Sequence, residues 1–358
     1  MRLADTESQR LLDAPGRLQS LDTGGMLSIL GNFRDHIFQA NELGKSFDIR
    51  ISRQIRNVVI TGLGGSAIGG ELVQSLVSRR CSTGIWINRE YRVPAFVGEH
   101  SLVVACSYSG NTEETNSAYL SARDRKARLV VISSGGELAS RAQADGIPLL
   151  KIPTGYPPRT AIAFSVFPLL WILHKTGVWQ WPEQIAEVTM SAVASTCNKY
   201  RPEVPASDND AKQVALNLHN KLPVIYAPSD PLGAIANRWR GQFAENAKSL
   251  AWHSVLPEMT HNEIVGWAHP ECLRHAQVLC LRDQDEHPKV ARRFEFLLEK
   301  LRSASQAPLQ FSGNGESLLE RVFSLIVLGD YASVYLAFLY SEDPTPVTVI
   351  EELKQSLK

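Results

Sequence analysis

The stretch that decides the fold of this chain is 57-NVVITGLGGSAIGGELV-73. A short β-branched run at 58–60 passes into a turn with glycines at 62, 64, 65, 69 and 70, after which the spacing of apolar residues becomes helical. The pattern predicts a strand, a tight turn and a helix. Glycines let a ligand approach the backbone closely, and the first N–H groups of a helix have no partner within it. We therefore expect an anion at this turn, most often a phosphate.

The same turn also fits the dinucleotide fingerprint G-x-G-x-x-G/A, from Gly62 to Ala67. That fingerprint requires an acidic residue at the end of the second strand, where it holds a ribose hydroxyl. Here that end reads Asn88-Arg89-Glu90, so the acidic residue comes late. Ser66, whose hydroxyl can join the backbone amides, favours a phosphate site. An NAD-dependent dehydrogenase remains an alternative.

Strand and helix signals alternate from residue 57 onward, which predicts a doubly wound parallel α/β sheet. We predict strands at 57–61, 84–88, 101–106, 128–133 and 148–151, with helices after the first, third and fourth. Ligands of such sheets bind at the carboxyl ends of strands. The third strand is followed by 106-CSYSGNTEE-114, in which Ser107, Ser109 and Thr112 bring three hydroxyls to a helix start. This pattern fits a phosphate site, and equally a helix N-cap with acidic residues in the first turn.

The remaining segments suggest a second, fainter copy of the same plan without the serine-rich loop. We predict one apolar helical stripe from Met26 to Ile37, a buried helix at 161–174 and a helix at 183–200, followed by a proline-rich linker at 201–210. In the second half we predict strands at 222–227 and 277–282 and helices at 233–248, 316–340 and 349–357. A further helix has one apolar face, made of Val290, Phe294, Leu297 and Leu301.

Composition narrows the class of protein. Lys plus Arg equals Asp plus Glu at 37 each, without a block of like charge, so we expect neither nucleic acid nor a membrane as partner. The five cysteines lack C-x-x-C spacing, and the pair His253 and His261 has no further ligands in its neighbourhood, so we expect no metal. Without an apolar signal core or an apolar run of about eighteen residues, a soluble, cytoplasmic protein is expected.

Together the glycine turn and the run 107-SYSGNTEET-115 resemble the sugar isomerase (SIS) domain. Other segments resemble the bifunctional phosphoglucose/phosphomannose isomerase family, and the resemblance spans nearly the whole chain. These segments are 22-DTGGML-27, 156-YPPR-159, 245-ENAK-248, 260-THNEIVGW-267 and 349-VIEELK-354. The resemblance implies two doubly wound parallel-sheet SIS subdomains with flanking N- and C-terminal helices. The implied division is an N-terminal helical segment at 1–50, SIS domains at 51–200 and 211–315, and C-terminal helices at 316–358 that complete the site.

The resemblance also implies roles for individual residues. The sugar phosphate would be bound by Gly65, Ser66, Ser107, Ser109 and Thr112. Arg159 would lie over the reacting carbons, Glu245 would be the base, and His261 and Lys354 would open the sugar ring. No cofactor is implied. In isomerases of this kind the corresponding histidine reaches the neighbouring subunit's site, which implies a homodimer, and we expect Trp239, Trp252 and Trp267 to cover an apolar interface.

The implied activity is the interconversion of glucose 6-phosphate and mannose 6-phosphate with fructose 6-phosphate through a cis-enediol, as in glycolysis and gluconeogenesis. The residue types suit this chemistry. A carboxylate can move a proton between two carbons, an arginine can stabilise the enediolate, and a histidine titrates near neutral pH. The segment 343-DPTPVTV-349 is expected to shape the pocket around C2. A non-catalytic phosphosugar sensor with an SIS fold remains the alternative.

Overall fold

A computed structural model describes residues 6–51, 54–269, 274–304 and 307–357. The chain forms two compact units: a continuous unit, Phe33–Met190, and a discontinuous unit made of Met1–Asn32 and Ser191–Lys358. The four-part division expected from the sequence has its boundaries elsewhere and stays a prediction. Cys272 and the first five residues of the predicted N-terminal segment lie outside the described residues.

The described secondary structure begins with helices and then alternates between strands and helices. The helices are α1 Thr6–Leu12, α2 Pro15–Leu21, α3 Met26–Gly31, α4 Phe33–Ser46, α5 Gly64–Val77, α6 Glu113–Asp124, α7 Gly136–Ala144, α8 Ala163–Lys175, α9 Gln184–Tyr200, α10 Asp210–Leu218, α11 Gly233–Ala247, α12 Pro288–Ala304, α13 Leu318–Leu339 and α14 Thr348–Ser356. The strands are β1 Asn57–Thr61, β2 Gly84–Asn88, β3 Ser101–Ser107, β4 Arg128–Ser133, β5 Leu149–Lys151, β6 Leu222–Pro228, β7 Trp252–Leu256, β8 Ala276–Arg282 and β9 Leu309–Ser312. Short 3-10 turns occur at Pro158–Thr160, Ala206–Asp208, Glu258–His261 and Glu263–Ala268.

The continuous unit contains a five-stranded sheet in the order β2-β1-β3-β4-β5, and every pair of strands is parallel. All five strands predicted from the sequence are therefore confirmed. The order reverses between β1 and β3, which is where ligands of doubly wound sheets bind. The glycine turn follows β1 and the serine-rich loop follows β3. Both predicted phosphate-binding turns thus lie at the carboxyl edge of the sheet, on either side of its switch point.

Helix α8 is the apolar centre of the continuous unit, because every residue from Ala163 to Leu173 is buried. Helix α4 packs against it, where the indole N–H of Trp171 donates to the Asn41 side-chain oxygen at 2.9 Å. The expectation of one continuous helix from Met26 to Ile37 is wrong. Asn32, with φ −90° and ψ 12°, ends α3, and α4 begins at the next residue in the other unit.

The discontinuous unit contains a second parallel sheet, in the order β7-β6-β8-β9. Strands β6 and β8 and the buried apolar face of α12 were predicted and are confirmed. Strands β7 and β9 were not predicted. Both are edge strands, and their side chains are mostly half-buried or exposed, so they lack the apolar run that marks a central strand. The order of strands follows that of the first sheet, as the expected duplication requires.

Helix α13 is the core of the discontinuous unit. It has 22 residues, and an 18-residue window within it has a mean hydropathy of 1.9. Among the described residues, this is the one helix that is long and apolar enough to cross a membrane. The whole apolar window is buried inside the protein, as is typical of a core helix in a soluble protein. Ser317 and Glu320 form a capping box at its start, which explains why it begins there.

The proline-rich run at 201–210 was predicted as a linker between domains, but it lies inside the discontinuous unit and is held there by hydrogen bonds. The buried ammonium of Lys212 donates to the carbonyls of Pro202 and Val204 at 2.8 and 2.7 Å. The N–H of Ala206 donates to the Asp13 carboxylate at 2.7 Å, and α10 follows directly. These bonds hold the run against the body of the discontinuous unit.

The three tryptophans expected at an interface behave differently from one another. Trp239 is fully buried and donates its indole N–H to the Leu325 carbonyl at 2.9 Å, and Trp267 is also buried. The interface expectation is therefore wrong for these two, because they are core residues of the discontinuous unit. Trp252 lies on the edge strand β7 and is exposed.

Candidate active site

The serine-rich loop connects β3 to the first turn of α6 and folds around its own hydroxyls. The Ser107 hydroxyl accepts the N–H of Gly110 at 3.0 Å and lies 2.9 Å from the Thr112 hydroxyl. The Ser109 hydroxyl accepts the N–H of Asn111 at 3.2 Å. Thr112 occupies the N-cap position, yet its hydroxyl makes no cap hydrogen bond with the helix. The N-cap interpretation of this hydroxyl is thus not realised, and three hydroxyls cluster at the helix start.

A turn after the neighbouring strand β4 supports this loop. Gly110 has φ +71°, and a Cβ at this position would lie 1.7 Å from the Gly135 carbonyl oxygen, so no larger residue fits without displacement. The Ser134 hydroxyl donates to the Tyr108 carbonyl at 2.6 Å. The support was not predicted from the sequence, although Ser-Ser-Gly-Gly directly after a predicted strand was an available signal.

The glycine turn meets two other segments of the continuous unit. A Cβ on Gly62 would lie 2.7 Å from the Cys106 carbonyl oxygen, and one on Gly65 would lie 2.9 Å from the Pro158 carbonyl oxygen. Gly65 and Ser66 also line a small pocket together with the start of the serine-rich loop. Its lining residues are Gly65, Ser66, Cys106, Tyr108, Ile132, Ile152, Pro158, Ala161, Phe164 and Ser165. The structure thus brings the two predicted phosphate-binding turns together.

Arg159 lies beside this pocket on the 3-10 turn Pro158–Thr160 and is only 4% exposed. The turn is closed by the N–H and hydroxyl of Thr160, which donate to the Pro157 carbonyl at 2.8 and 2.9 Å. It is also joined to the serine-rich loop, because the N–H of Tyr156 donates to the Tyr108 hydroxyl at 2.9 Å. Tyr108 therefore positions the turn that carries Arg159, a role that the sequence did not reveal.

An aromatic cluster packs behind that turn. Tyr156 stacks on Phe164 with ring centroids 5.6 Å apart, and the His36 ring meets Tyr156 edge-on at 4.6 Å. Burial lowers the pKa of His36, and the nearby Asp35 carboxylate opposes this shift. The neutral imidazole is therefore a packing element beneath the Arg159 turn.

Glu245 lies half-buried in the last turn of α11, and a buried polar seam fixes the orientation of that helix. Arg238 pairs with Asp330 of α13 at 2.6 Å, and the Gln242 amide donates to the same carboxylate at 2.8 Å. One turn later the Asn246 amide donates to the Ser333 hydroxyl at 2.9 Å. Buried pairs of this kind specify register more than stability, because a one-turn slip would leave charges without partners.

Lys248 ends α11 in a left-handed conformation and ties the helix end to the predicted C2 segment. Its ammonium donates to the Glu245 carbonyl at 3.1 Å and to the Asp343 carbonyl at 2.8 Å. The N-terminal loop meets the same segment, since the Thr23 hydroxyl bonds the Asp343 carboxylate and a Cβ on Gly24 would clash with Thr345. Two segments that carry the family resemblance, 22–27 and 245–248, therefore meet the predicted C2 segment within the discontinuous unit.

Asp22 explains why the N-terminal loop is ordered. Its carboxylate accepts the N–H groups of Met26 and Leu27 at 2.7 and 2.8 Å and so holds the start of α3. Burial raises the pKa of Asp22, and the nearby Asp343 carboxylate adds to this effect, while the two N–H bonds oppose it.

His261 is exposed and closes the 3-10 turn Glu258–His261. The turn is anchored through Glu263, whose carboxylate accepts the Tyr226 hydroxyl at 2.6 Å and the Ser254 hydroxyl. The indole of Trp267 donates to the Tyr226 hydroxyl at 2.9 Å. Glu263 thus joins the His261 peptide to β6 and β7. The sequence offered no sign of this role beyond the position of Glu263 in the THNEI segment.

Lys354 lies on α14, where no residue is buried. Within the described ranges, no group of three or more His, Cys, Asp or Glu side chains is arranged to hold a metal ion. The predicted site residues are divided between the two units. The continuous unit contains Gly65, Ser66, Ser107, Ser109, Thr112 and Arg159, and the discontinuous unit contains Glu245, His261 and Lys354. Their catalytic and binding roles stay predictions.

Known proteins resemble this chain over most of its length. A family model described as the bacterial phospho-glucose isomerase C-terminal SIS domain matches residues 207–357. The chain is 41% identical to a bifunctional phosphoglucose/phosphomannose isomerase of Caldicellulosiruptor bescii, over 93% of this chain and 98% of the relative. It is 33% identical to the protein of that name from Aquifex aeolicus, over 85% of this chain and 91% of the relative.

A solved structure shows the same fold. It is a glucose-6-phosphate isomerase like protein of Thermus thermophilus, with a TM-score of 0.59 and 21% identity, covering 96% of this chain and 98% of that one. At this identity the likeness concerns the fold alone. The full-length sequence similarity carries the assignment: the chain belongs to the bifunctional phosphoglucose/phosphomannose isomerase family.

Proposed function

We propose that this protein interconverts glucose 6-phosphate and mannose 6-phosphate with fructose 6-phosphate. The observation that carries the proposal is the 41% identity to a bifunctional isomerase over 98% of that relative. We further propose a homodimer in the cytoplasm, where it would act in glycolysis or gluconeogenesis. The fully buried apolar window of α13 supports a soluble protein.

Phosphate binding is proposed at the edge of the first sheet. The hydroxyls of Ser107, Ser109 and Thr112 cluster at the start of α6, and Gly65 and Ser66 lie in the first turn of α5. A phosphate monoester would accept hydrogen bonds from these hydroxyls and from N–H groups at both helix starts, where the helix dipoles favour an anion. These groups bind and orient the substrate without taking part in proton transfer.

Ring opening precedes isomerisation, because hexose phosphates are mostly cyclic. One group gives a proton to the ring oxygen while another takes the proton of the anomeric hydroxyl, and the bond from C1 to the ring oxygen breaks. We propose His261 and Lys354 for these two tasks, with His261 supplied by the partner subunit. The exposure of both residues is compatible with a site completed by a second chain.

Isomerisation then moves one proton between C2 and C1. The Glu245 carboxylate takes the C2 proton, the released electron pair forms the C1–C2 double bond, and the O1 atom gains negative charge opposite the Arg159 guanidinium. The proton of the C2 hydroxyl passes to O1, the C2–O2 bond becomes the carbonyl, and C1 takes the proton back from Glu245, which gives the ketose. Because C2 is planar in the enediol, both C2 epimers reach the same intermediate, so one site can serve both aldoses.

The test is an assay of both aldoses with purified protein in deuterated water containing EDTA. We expect fructose 6-phosphate and solvent deuterium at C2 of the recovered aldose. Glu245→Gln should lower kcat by about a thousandfold, in the range for loss of a general base, whereas Glu299→Gln on the exposed side of α12 should not. Wild-type turnover by Glu245→Gln would refute the mechanism, and tight binding of both sugars without exchange would show a sensor instead.

A further inference from the structure

Helix α14 has an apolar stripe that no residue in the described part of the chain covers. Val349, Ile350, Leu353 and Leu357 are all exposed, Leu353 at 57%. At 100° per residue these four side chains lie within about one quarter of the helix circumference. Glu352 borders the stripe on one side and Lys354 borders it on the other. Such an amphipathic helix gains stability only by packing its stripe against another surface.

Helix α12 has the complementary surface on its outer side. Lys289, Arg292, Arg293 and Phe296 follow the spacing i, i+3, i+4, i+7, so they share one face, opposite the face that packs into the core. With Thr260 and Ile264 of the neighbouring 3-10 turns they line an open groove of about 450 Å³. We call this surface the α12 groove.

The chemistry of the α12 groove favours an acidic amphipathic helix. Ile264 and the exposed Phe296 provide apolar area, and three cations surround it. Within the described chain, none of Lys289, Arg292 and Arg293 forms an ion pair with a carboxylate, although Arg293 donates to the Thr260 hydroxyl. Three neighbouring cations repel one another, so a carboxylate from outside would be attracted to this face.

We propose that α14 of one chain docks in the α12 groove of a second copy of this chain. Helix-in-groove recognition places an apolar stripe on apolar area and charged residues at the rim. Here the stripe would cover Phe296 and Ile264, and Glu352 would face the cations. Lys354, on the opposite border of the stripe, would avoid them. In a twofold dimer each chain both gives and receives a helix, so the contact occurs twice.

The docked helix would also bring Lys354 close to the partner subunit's His261, because Thr260 of the groove directly precedes that histidine. This last consequence rests on the proposed function, in which the two residues open the ring together. The docking itself concerns assembly and is measured without substrate. A failure of the docking proposal is therefore distinguishable from a failure of the proposed function.

Charge reversal tests the docking. Arg292→Glu and Glu352→Arg, each in a separate preparation, should raise the dimer dissociation constant in sedimentation equilibrium by about tenfold or more, since each change acts at both contacts. Mixing the two variants should restore the wild-type constant, because in the heterodimer one contact is native and the other has the pair exchanged. Arg302→Glu and Glu351→Arg, on the far sides of the same helices, should leave the constant unchanged.

A disulfide experiment decides which chain supplies the helix. Chains carrying Phe296→Cys mixed with chains carrying Leu353→Cys should form a link between chains on oxidation, above the background of either preparation alone. A chain carrying both changes that links only within itself would overturn the proposal in favour of docking within one chain. The proposal would also be overturned if the charge reversals changed the dimer dissociation constant no more than their controls did. The same holds if mixing the two variants did not restore the wild-type constant.

Discussion

The two sheets of this protein share one strand order but hold their polar groups at opposite ends of helices. In the continuous unit Gly65 and Thr112 lie at helix starts, where N–H groups and the dipole favour an anion. In the discontinuous unit Glu245 lies at the end of α11. The comparison teaches that the repeated fold uses helix N-termini in one sheet and a helix C-terminus in the other. Phosphate binding is proposed at the N-termini and proton transfer at the C-terminus.

The turn after the first strand of each sheet explains why phosphate binding is proposed for only one of them. After β1 the turn contains glycines, which allow close approach and leave amide N–H groups to donate. After β6 the turn reads Pro228-Ser229-Asp230-Pro231. The two prolines have no N–H, and the Asp230 carboxylate would repel a phosphate. The second sheet therefore provides a scaffold for α11 instead of an anion site.

The largest expected effect on kcat comes from removing the two proton-transfer groups that are proposed to reach one site from different chains. Glu245→Gln should lower kcat by about a thousandfold and His261→Ala by about a hundredfold, as expected for loss of a proton-transfer group. If His261 acts in the neighbouring site, an equal mixture should recover about a quarter of the wild-type rate, because half of the dimers are mixed and each has one intact site. Verified heterodimers without recovery would place both residues in the same chain's site.

A change confined to the binding region should give the next largest effect. Gly110→Ala places a Cβ against the Gly135 carbonyl, at a backbone conformation with φ +71°. We expect a loss of about 2–4 kcal/mol in the free energy of unfolding and a large rise in KM for both sugars. Gly146→Ala is the control, because it has φ +67° but open space around it. Equal effects of the two changes on KM would show that the loop does not bind substrate.

A smaller effect is expected where helix α11, which carries the proposed base Glu245, meets the predicted C2 segment. Lys248→Met removes the bonds from its ammonium to the carbonyls of Glu245 and Asp343. Because the phosphate is proposed to bind elsewhere, kcat should fall about tenfold with little change in KM, and the ratio of glucose to mannose activity should shift. Lys199→Met, on the exposed side of α9, serves as the control. A change in KM alone would argue against a positioning role.

The smallest expected effect is on how the free energy of unfolding depends on pH, and it comes from His36 in the aromatic cluster beneath Arg159. Burial lowers the pKa of His36 in the folded protein, so folding is unaffected by this group above its unfolded pKa of about 6.5. As the pH falls below that value the unfolded chain binds a proton that the folded chain does not, and stability is lost until the lowered pKa is reached.

Thermal unfolding between pH 7.5 and pH 5 should therefore show a steeper loss of stability in the wild type than in His36→Phe. The other histidines are shared by both proteins and cancel in the comparison. Parallel curves would mean that His36 is not held neutral by its surroundings.

Much of this fold could be predicted from the sequence, since the central strands are runs of buried apolar residues and their turns carry glycine or serine. The edge strands β7 and β9, the break at Asn32 and the anchoring of 201–210 could not. They depend on neighbours distant in sequence, such as Asp13 and Lys212. For the candidate site the serine-rich loop was readable, whereas Tyr108, Lys248 and Glu263 act through contacts that only the folded chain reveals.

The discontinuous unit also sets the order in which the protein can be made. Its first helices include Leu12, Leu18 and Met26, which are fully buried, and α1 and α3 pack against α13. Yet α13 leaves the ribosome only after about three hundred further residues. Residues 33–190 can fold during translation, but the N-terminal helices must wait with their apolar side chains uncovered. Premature termination before α13 would leave the folded continuous unit attached to N-terminal helices whose apolar side chains stay exposed. Such a chain would be a target for chaperones and proteases.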